Sequence, residues 1–344
     1  MQAVVFEGPG KVGVREVPDP RIEQPTDALV RVTTSTICGT DIRMLGGSIP
    51  VSTGTALGHE FVGVVEEVGE AVRGVRPGQR VVSPFSTSCG HCYWCERGLF
   101  TNCPERQFFG VGQLGGGQAE RVRVPLADST LELLPESVTE TQAAFLSDVL
   151  PGALASVEAA TIQPGDTVAV VGCGPTGLCA VLCAPLFEPS LVVAIDHHAD
   201  RLAKAKELGA LPLDFQRQKY LARIREATEG RGADVVIEAV GKVQALDLAL
   251  ELLRPWGTLV TMGLHMDLDF PFPLRDFSFR QLTWRASPLP PVKNHIRRAI
   301  ELIEGGRLDP SPIATHVLPL AEAPRAYQLM AEREDGALKV LLKP

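Results

Sequence analysis

Residues 167–196 spell TVAVVGCGPTGLCAVLCAPLFEPSLVVAID, and this stretch decides the fold class. The run TVAVV is apolar throughout, which indicates a strand that is buried on both faces. A helical segment follows it, and LVVAID is a second run of the same kind. A strand, a helix and another strand in this order predict a parallel βαβ unit.

The alternation of helix and strand continues downstream of this unit. Residues 200–210 have the apolar spacing of an amphipathic helix, and the apolar runs at 233–241 and 257–263 predict further strands. Repeated βαβ units build a doubly wound parallel sheet that is covered on both faces. We therefore expect an α/β domain in the second half of the chain.

The first 146 residues follow a different pattern. They contain short runs rich in Val and Phe, such as FVGVVEEVG at residues 61–69, which Gly and Pro separate. This pattern is typical of an antiparallel, barrel-like unit. A length of 344 residues also favours two domains over one. The tail after about residue 288 is too short for a third domain, so we expect it to pack against one of the other two.

Composition and charge exclude several classes of protein. The formal net charge is -8 and there is no run of Lys or Arg, so we expect neither nucleic acid nor anionic lipid as a partner. No apolar stretch approaches the roughly 18 residues of a membrane span, and the first residues lack the pattern of a signal peptide. These features favour a cytoplasmic protein without a membrane anchor.

The turn between the two strands of the βαβ unit carries a GxGxxG motif. A lone match is weak evidence, but here a strand precedes it, a helix follows it, and Asp196 ends the next strand. The alternative, a Gly-rich turn that binds nothing, is disfavoured by this context. An acidic residue at that position favours NAD, because it would repel the additional phosphate of NADP. The expected cofactor site comprises Gly172, Gly174, Pro175, Thr176, Gly177 and Asp196.

Other residues near this motif have less certain roles. Val240, close to the end of a later strand, is also expected at the cofactor site, and Arg201 would either contact a cofactor phosphate or cap a surface helix. His197 and His198 would either flank the adenosine or lie exposed in a turn. Three cysteines on the loop and helix are expected to fill the core: Cys173, Cys179 and Cys183.

Four cysteines lie close together in the first half of the chain, with the spacing C-x2-C-x2-C-x7-C. They are Cys89, Cys92, Cys95 and Cys103. Four thiolates at such spacing are the ligand set of a closed, tetrahedral zinc site. Because a closed site leaves no position for substrate, we expect a structural zinc in a lobe at residues 86–104.

A second group of metal-binding residues is less obvious. Cys38 follows a strand-like run, and Gly58-His59-Glu60 begins another. A single cysteine and a single histidine at this separation are weak evidence, because buried free cysteines are common.

A family resemblance strengthens this second group. The pattern GHE-x2-G-x5-G-x2-V, formed by Gly58, His59, Glu60, Gly63, Gly69 and Val72, resembles the signature of the zinc-containing medium-chain alcohol dehydrogenases. The segment CGTD, the four-cysteine lobe, the Rossmann unit and the ending GALKVLLKP are similar to that family in the same order. FLSDVLP and GGGQAERVRVP look closest to its formaldehyde-dehydrogenase-like branch, with threonine and polyol dehydrogenases as near relatives.

The resemblance implies a fold and a domain division. It implies a GroES-like, β-rich catalytic domain over residues 1–148 and 289–344, and a Rossmann cofactor domain over residues 149–288. It further implies a catalytic zinc on Cys38, His59 and Asp148, beside the structural zinc. Glu60 matches a carboxylate that approaches this metal, and Asp41 matches an acid that orients the histidine.

The same resemblance implies a proton path, and here the chain departs from the family. Thr40 matches the hydroxyl residue at which the path begins, but the family usually continues to a histidine where this chain has Arg43. A guanidinium does not release its proton at working pH. Either water, the cofactor ribose or His197 carries the proton instead, or Arg43 binds an anionic substrate or a cofactor phosphate. Phe85 matches an aromatic residue of the substrate pocket, although core packing accounts for it equally well.

The function that follows is zinc-dependent hydride transfer between NAD and an alcohol, aldehyde, polyol or amino alcohol. Two alternatives stay open: a catalytically silent NAD-binding scaffold of the same fold, and an aldehyde dismutase that retains its cofactor. The apolar segment 267–274, DLDFPFPL, would suit pairing of subunits into a homodimer or homotetramer, as in the family.

Overall fold

The computed structural model describes residues 1–112, 114–217, 219–267 and 269–344. Its strands are β1 Gln2–Gly8, β2 Lys11–Glu16, β3 Ala28–Thr36, β4 Phe61–Val68, β5 Arg80–Ser83, β6 Arg121–Val124, β7 Glu132–Leu133, β8 Thr167–Val171, β9 Leu191–Asp196, β10 Leu211–Asp214, β11 Ala233–Glu238, β12 Leu253–Thr261, β13 Thr283–Ala286, β14 Ala314–Pro319 and β15 Lys339–Lys343. Its α-helices are α1 Gly39–Leu45, α2 Ala127–Thr130, α3 Glu140–Ala144, α4 Val149–Ala159, α5 Pro175–Cys183, α6 Ala199–Glu207, α7 Tyr220–Ala227, α8 Val243–Leu252, α9 Leu274–Phe279, α10 Val292–Glu304 and α11 Ala323–Glu332.

The chain divides into two compact units. The β-rich unit combines Met1–Pro151 with Pro291–Pro344, and the parallel-sheet unit spans Gly152–Pro290. The sequence placed the divisions after residues 148 and 288, two or three residues earlier.

The parallel-sheet unit is built on six strands in the order β10-β9-β8-β11-β12-β13. Every pair of neighbours in this sheet runs parallel. All five residues of β8 are buried, as its continuous apolar sequence predicts. The first strand of this unit along the chain, β8, is central. Strands β9 and β10 extend the sheet to one edge, and β11, β12 and β13 then build the other side. This is the strand order of a doubly wound dinucleotide-binding sheet, and it confirms the α/β prediction for this half.

The β-rich unit contains a seven-stranded sheet in the order β14-β15-β3-β4-β5-β7, with β6 also paired to β3. Its strand pairs are antiparallel except for β14 and β15, which run parallel. The antiparallel prediction for the first 146 residues is confirmed at the described pairs among β1 to β7. The parallel pair belongs to the tail, where α11 lies between the two strands and returns the chain to the same end. Phe61 and Phe109 pack edge to face in the core, with ring centroids 5.0 Å apart.

Strand β15 ties the C-terminal tail to this unit. Leu341 and Leu342 of β15 pair with Thr36 and Ser35 of β3, and all residues of β15 except the last are buried. The tail therefore completes the sheet that carries the first cysteine and the GHE segment.

Steric contact with the neighbouring strand explains why Gly63 of the GHE motif is a glycine. A Cβ atom on Gly63 would lie 2.2 Å from the carbonyl oxygen of Arg31, on the neighbouring strand β3. Only a residue without a side chain allows β4 to approach β3 this closely. The motif thus specifies strand contact as well as chemistry.

No local pattern predicted α9 or β13. All four residues of β13 are exposed, so the strand has no pattern of buried positions to reveal it. The apolar segment 267–274 precedes α9, and Leu268 lies outside the described residues. No helix in the described part of the chain has the length and apolar character required to cross a membrane.

Candidate metal centres and cofactor site

Four potential metal ligands meet in the β-rich unit, although they are far apart in sequence. Cys38 caps the N-terminus of α1, His59 and Glu60 immediately precede β4, and Asp148 immediately precedes α4. One ligand atom from each of these four residues lies within 4.8 Å of those of the others. The fold therefore brings together Cys38, His59 and Asp148, with Glu60 in the same group, as the resemblance implied.

The ring of His59 is oriented from both sides. Its Nε2 lies 3.8 Å from Oδ2 of Asp148, and its Nδ1 lies 3.4 Å from Oδ1 of Asp41. Oδ2 of Asp41 accepts a hydrogen bond of 2.8 Å from the backbone N–H of Cys38. Asp41 thus couples the position of Cys38 to the orientation of His59. A carboxylate behind a ligating histidine fixes its tautomer and its ring plane.

Two residues without a predicted role hold Asp41 in place. Gln118 donates to the carbonyl oxygen of Thr36 at 3.0 Å and to Asp41 Oδ2 at 3.2 Å. The hydroxyl of Tyr327, a buried residue of α11, donates to Gln118 Oε1 at 2.8 Å. Gln118 lies in the segment GGGQAE, which carried part of the resemblance, but nothing in the sequence connects it to Tyr327 some two hundred residues later.

Glu60 is held by a buried cation that the sequence also left without a role. Oε2 of Glu60 accepts hydrogen bonds from Thr36 and from Nζ of Lys339, and the side chains of Lys339 and Glu60 are both almost fully buried. Burial by itself lowers the pKa of Lys339, but the nearby carboxylate of Glu60 and sulfur of Cys38 raise it above its ordinary value. Lys339 therefore carries a positive charge inside the unit.

The charges in this group favour binding of a cation. Burial lowers the pKa of His59, but the Asp41 carboxylate and the Cys38 sulfur together raise it well above its ordinary value. Burial and the Glu60 carboxylate raise the pKa of Asp148 to about 6. Both shifts show an excess of negative charge around the imidazole.

The donor atoms fit zinc. Thiolate, imidazole and carboxylate are the ligand types that a catalytic zinc site uses, with one position left for water or substrate. Oε1 of Glu60 is buried and has no hydrogen-bond partner among the described residues. Glu60 belongs to the same ligand group, and such a buried acceptor requires a cation or a donor nearby.

Thr40 and Arg43 both lie on α1, the helix that Cys38 precedes. Oγ1 of Thr40 is 3.8 Å from Sγ of Cys38, so the hydroxyl lies next to the expected ligand. Arg43 lies half-buried in the last turn of the same helix. Phe85 is buried and stacks on Phe108, with ring centroids 6.0 Å apart, which accounts for it by packing.

The four-cysteine segment forms a second group in the β-rich unit. One sulfur from each of Cys89, Cys92, Cys95 and Cys103 lies within 4.8 Å of the others, and all four are free thiols. Sγ of Cys89 is 3.9 Å from Sγ of Cys95. Sulfur atoms at the corners of a tetrahedron around zinc lie roughly 3.8 Å apart when the Zn–S bond is about 2.3 Å. The spacing therefore fits a closed tetrahedral site.

The backbone between the four cysteines of the lobe turns in a way that brings their sulfur atoms together. Short 3₁₀ turns at Cys95–Arg97 and Phe100–Asn102 bend the chain between its cysteines. The backbone N–H of Cys95 lowers the pKa of Cys92 to about 7, whereas burial raises the pKa of Cys95 to about 12. A bound metal ion would stabilise the thiolate that burial disfavours.

In the parallel-sheet unit, the glycine motif forms the turn between β8 and α5. Gly172 has a φ of +93°, and Pro175 is the first residue of the helix. A Cβ atom on Gly177 would lie 1.8 Å from the carbonyl oxygen of Gly172, so the turn requires glycine there. Gly174 is the N-cap residue of α5, and Thr176 is the second residue of that helix. A Cβ atom on Gly174 would have no heavy atom within 4 Å, so the space beside this glycine is open. The backbone at this helix end is suited to a phosphate group.

Asp196 lies at the end of β9 and accepts three backbone hydrogen bonds, from Cys173 at 2.8 Å, His197 at 2.7 Å and His198 at 3.0 Å. Burial raises its pKa, but these N–H groups and Arg201 outweigh burial and lower it. NH1 of Arg201 lies 3.9 Å from Oδ2 of Asp196, so this arginine faces the carboxylate. Asp196 is therefore held as an anion in a fixed orientation.

Further predicted residues lie around this turn. Val240 follows β11 and is partly exposed, with its Cγ2 directly above Gly172. The rings of His197 and His198 are 4.0 Å apart, and the His197 ring also packs against Phe215. The three cysteines expected in the core are all fully buried: Cys173, Cys179 and Cys183.

Comparison with known proteins identifies the family. Residues 24–135 match the family model of the alcohol dehydrogenase GroES-like domain, and residues 175–305 match that of the zinc-binding dehydrogenases. The zinc-type alcohol dehydrogenase B of Aspergillus flavus is 38% identical over 337 residues, which cover 96% of this chain and 78% of the relative. The chain belongs to the zinc-type alcohol dehydrogenase family.

Solved structures of this family have the same fold. The alcohol dehydrogenase TADH from Thermus sp. ATN1 is 42% identical, with a TM-score of 0.95 over 100% of this chain and 99% of the other. A zinc-binding dehydrogenase from Sinorhizobium meliloti, solved with NADP bound, is 32% identical, with a TM-score of 0.88 over 100% and 99%. This zinc-type alcohol dehydrogenase is thus a zinc-dependent alcohol oxidoreductase that uses a nicotinamide cofactor and acts on small molecules. The GroES-like and Rossmann fold prediction is confirmed.

The geometry predicts which residues each metal needs. Asp148→Ala should lower the zinc content by about one ion per chain, because it removes one of the three ligands expected for a catalytic zinc and so weakens the site. Elemental analysis of the purified, dialysed variant measures this content. The matched control is Cys103→Ser, which should remove the lobe zinc instead. If Asp148→Ala lost zinc from the Cys38 group and from the cysteine lobe equally, Asp148 would not be a ligand of a separate site.

Proposed function

We propose that this chain interconverts alcohols and carbonyl compounds with NAD, using a catalytic zinc on Cys38, His59 and Asp148 and a structural zinc on the four cysteines of the lobe. The proposal rests above all on the meeting of thiol, imidazole and carboxylate groups from three distant segments in one partly buried group. In this proposal the β-rich unit is the catalytic domain, and the parallel-sheet unit is the cofactor domain.

Zinc held by these residues would act as a Lewis acid that polarises an alcohol or carbonyl oxygen, and the nicotinamide would accept or donate the hydride. The residues of the chain supply position and proton movement. Asp41 holds His59 in one orientation, and Lys339 and Thr36 hold Oε2 of Glu60, whereas its Oε1 has no hydrogen-bond partner among the described residues. Oγ1 of Thr40, beside Cys38, would receive the proton of the alcohol.

The onward path of that proton cannot pass through Arg43. Its guanidinium is permanently charged and is a donor without acceptor capacity. We infer that the proton leaves from Oγ1 of Thr40 by water or by a group of the bound cofactor, and that Arg43 contributes a fixed positive charge near the catalytic group.

Absorbance of NADH during incubation with a panel of alcohols, polyols and aldehydes tests the function. We expect zinc-dependent turnover on at least one class of substrate, and its loss in Asp148→Ala. In the same assay, Arg43→His should raise kcat at neutral pH several-fold, because imidazole restores a group that titrates in this range. Failure of every substrate with fully zinc-loaded protein would contradict the proposed activity. Unchanged turnover in Arg43→His would contradict only the expectation that the residue at position 43 limits proton release.

Asp196 supports a preference for NAD. Its carboxylate is ionised and held by three N–H groups, so a 2′-phosphate placed beside it would meet a fixed negative charge. The Sinorhizobium meliloti relative binds NADP, so the preference in this chain requires a direct test.

Asp196→Ser should therefore reduce the preference for NAD over NADP by about 10- to 100-fold in kcat/KM, because it removes a charge repulsion at short range. Steady-state kinetics with both cofactors measures the ratio. Asp200→Asn, in the first turn of α6, is the matched control and should leave the ratio unchanged. A wild-type chain that prefers NADP would overturn the assignment of Asp196.

The parallel sheet has an open edge that would suit subunit pairing. Strand β13 pairs with β12 alone in this sheet, and its four residues are exposed. Large apolar side chains lie exposed nearby, including Trp256, Leu274, Phe279 and Trp284. Open edges and exposed apolar patches of this kind usually mark an interface. We propose a homodimer, or a tetramer built from dimers, that uses this edge.

Phe279→Glu should shift the protein toward monomer in sedimentation or light-scattering experiments, because it places a charge in the apolar patch. The control Val317→Glu changes another exposed apolar residue, on β14 in the other unit, and should not alter the assembly. Dissociation by Val317→Glu with no effect of Phe279→Glu would place the interface elsewhere.

A further inference from the structure

Three loops at the carboxyl ends of neighbouring strands touch one another in the parallel-sheet unit. These are the glycine motif after β8, residues 239–241 after β11, and residues 262–267 after β12. A Cβ atom on Gly172 would lie 2.4 Å from Cγ2 of Val240, and a Cβ atom on Gly263 would lie 2.1 Å from the backbone nitrogen of Gly241. The middle loop is therefore in direct contact with both of its neighbours.

Glu238, the last residue of β11, holds the second and third loops. Its side chain is fully buried, and Oε1 accepts hydrogen bonds of 2.7 Å from the backbone N–H groups of Val240 and Gly241. Its carbonyl oxygen accepts hydrogen bonds from Met262 at 2.7 Å and Gly263 at 3.0 Å. One residue thus fixes the direction in which both loops leave the sheet.

His265 completes this arrangement from the third loop. Its Nε2 lies 2.9 Å from Oε2 of Glu238, and because an ionised carboxylate only accepts hydrogen bonds, this nitrogen donates. The side chain of His265 is 24% exposed, whereas that of Glu238 is completely buried. A buried carboxylate needs such a partner on each oxygen. The pair therefore links the tip of the third loop to the base of the second.

The position of these loops in the sheet indicates which part of a cofactor they meet. In a doubly wound sheet of this strand order, the two halves of a dinucleotide lie on either side of the point where the order reverses. Asp196, at the end of β9, marks the adenosine side, and β11 and β12 lie on the opposite side of β8. The loops that Glu238 and His265 join are on the nicotinamide side.

We propose that Glu238 and His265 are positioning residues that clasp the loop after β12 to the loop after β11, and thereby set the affinity for the nicotinamide half of the cofactor. This inference rests on the cofactor site proposed above. Holding the loops in one arrangement before binding reduces the ordering cost of binding. Neither residue has to touch the cofactor for this effect.

Titrations with two probes test the clasp: NADH, and ADP-ribose, which lacks the nicotinamide ring. His265→Ala should raise the Kd of NADH about tenfold, the effect of losing one hydrogen bond to a charged group. Its Kd for ADP-ribose should stay within about twofold of wild type, because the adenosine side is untouched. His265→Gln can still donate to Glu238 and should restore most of the NADH affinity. Met266→Ala, an exposed neighbour in the same loop, is the matched control and should bind both probes normally.

Three results would overturn the clasp while leaving the proposed function intact. They are an unchanged NADH affinity in His265→Ala, an equal weakening of both probes, and a His265→Gln variant as weak as His265→Ala. Failure of the proposed cofactor site looks different, because the wild-type chain would then bind neither probe. Asp196→Ala should raise the Kd of both NADH and ADP-ribose. This pattern distinguishes a loss of contacts on the adenosine side from a loss of the clasp, which raises the Kd of NADH alone.

Discussion

Buried carboxylates constrain this protein more than any other kind of group. Glu60 is fully buried, and it keeps its place because Lys339 and Thr36 contact one of its oxygens. Lys339 belongs to the last strand of the chain, so the charge pair and the pairing of β15 with β3 depend on each other. Removing a single partner of such a pair leaves an uncompensated charge in the interior, which is strongly destabilising. The tail thus supports the ligand group that contains Glu60 as well as the sheet.

The same constraint recurs with different partners. Oδ2 of Asp41 accepts hydrogen bonds from the backbone of Cys38 and from Gln118, and its Oδ1 lies 3.4 Å from Nδ1 of His59, so Asp41 contacts two of the expected zinc ligands. Asp196 is satisfied by three backbone N–H groups. Glu238 is satisfied by two N–H groups and by His265. In each case a carboxylate that must be paired also fixes the geometry of a functional segment.

Site residues that lie close together in the sequence could be predicted from their spacing, whereas those that meet only in the fold could not. The lobe cysteines lie within a short segment, so their spacing alone indicated a metal, and the glycine motif with Asp196 indicated a dinucleotide in the same way. Cys38, His59 and Asp148 became a group only through a family resemblance. No sequence pattern predicted a role for Lys339, Gln118 or Tyr327. Each is a buried polar residue whose role depends on a partner that is distant in the sequence. His265 escaped notice for the same reason, since its partner Glu238 lies on another strand.

The sequence by itself determined the two kinds of domain, the glycine turn and the closed cysteine group, because apolar periodicity and short spacings act over a few residues. It left open how the tail joins the first domain, which strand forms the open edge of the parallel sheet and which cation faces Glu60. Only the tertiary structure decided these points. Pairing of β15 with β3, exposure of β13 and burial of Lys339 all depend on contacts between residues that are distant in the chain, and no local pattern encodes such contacts.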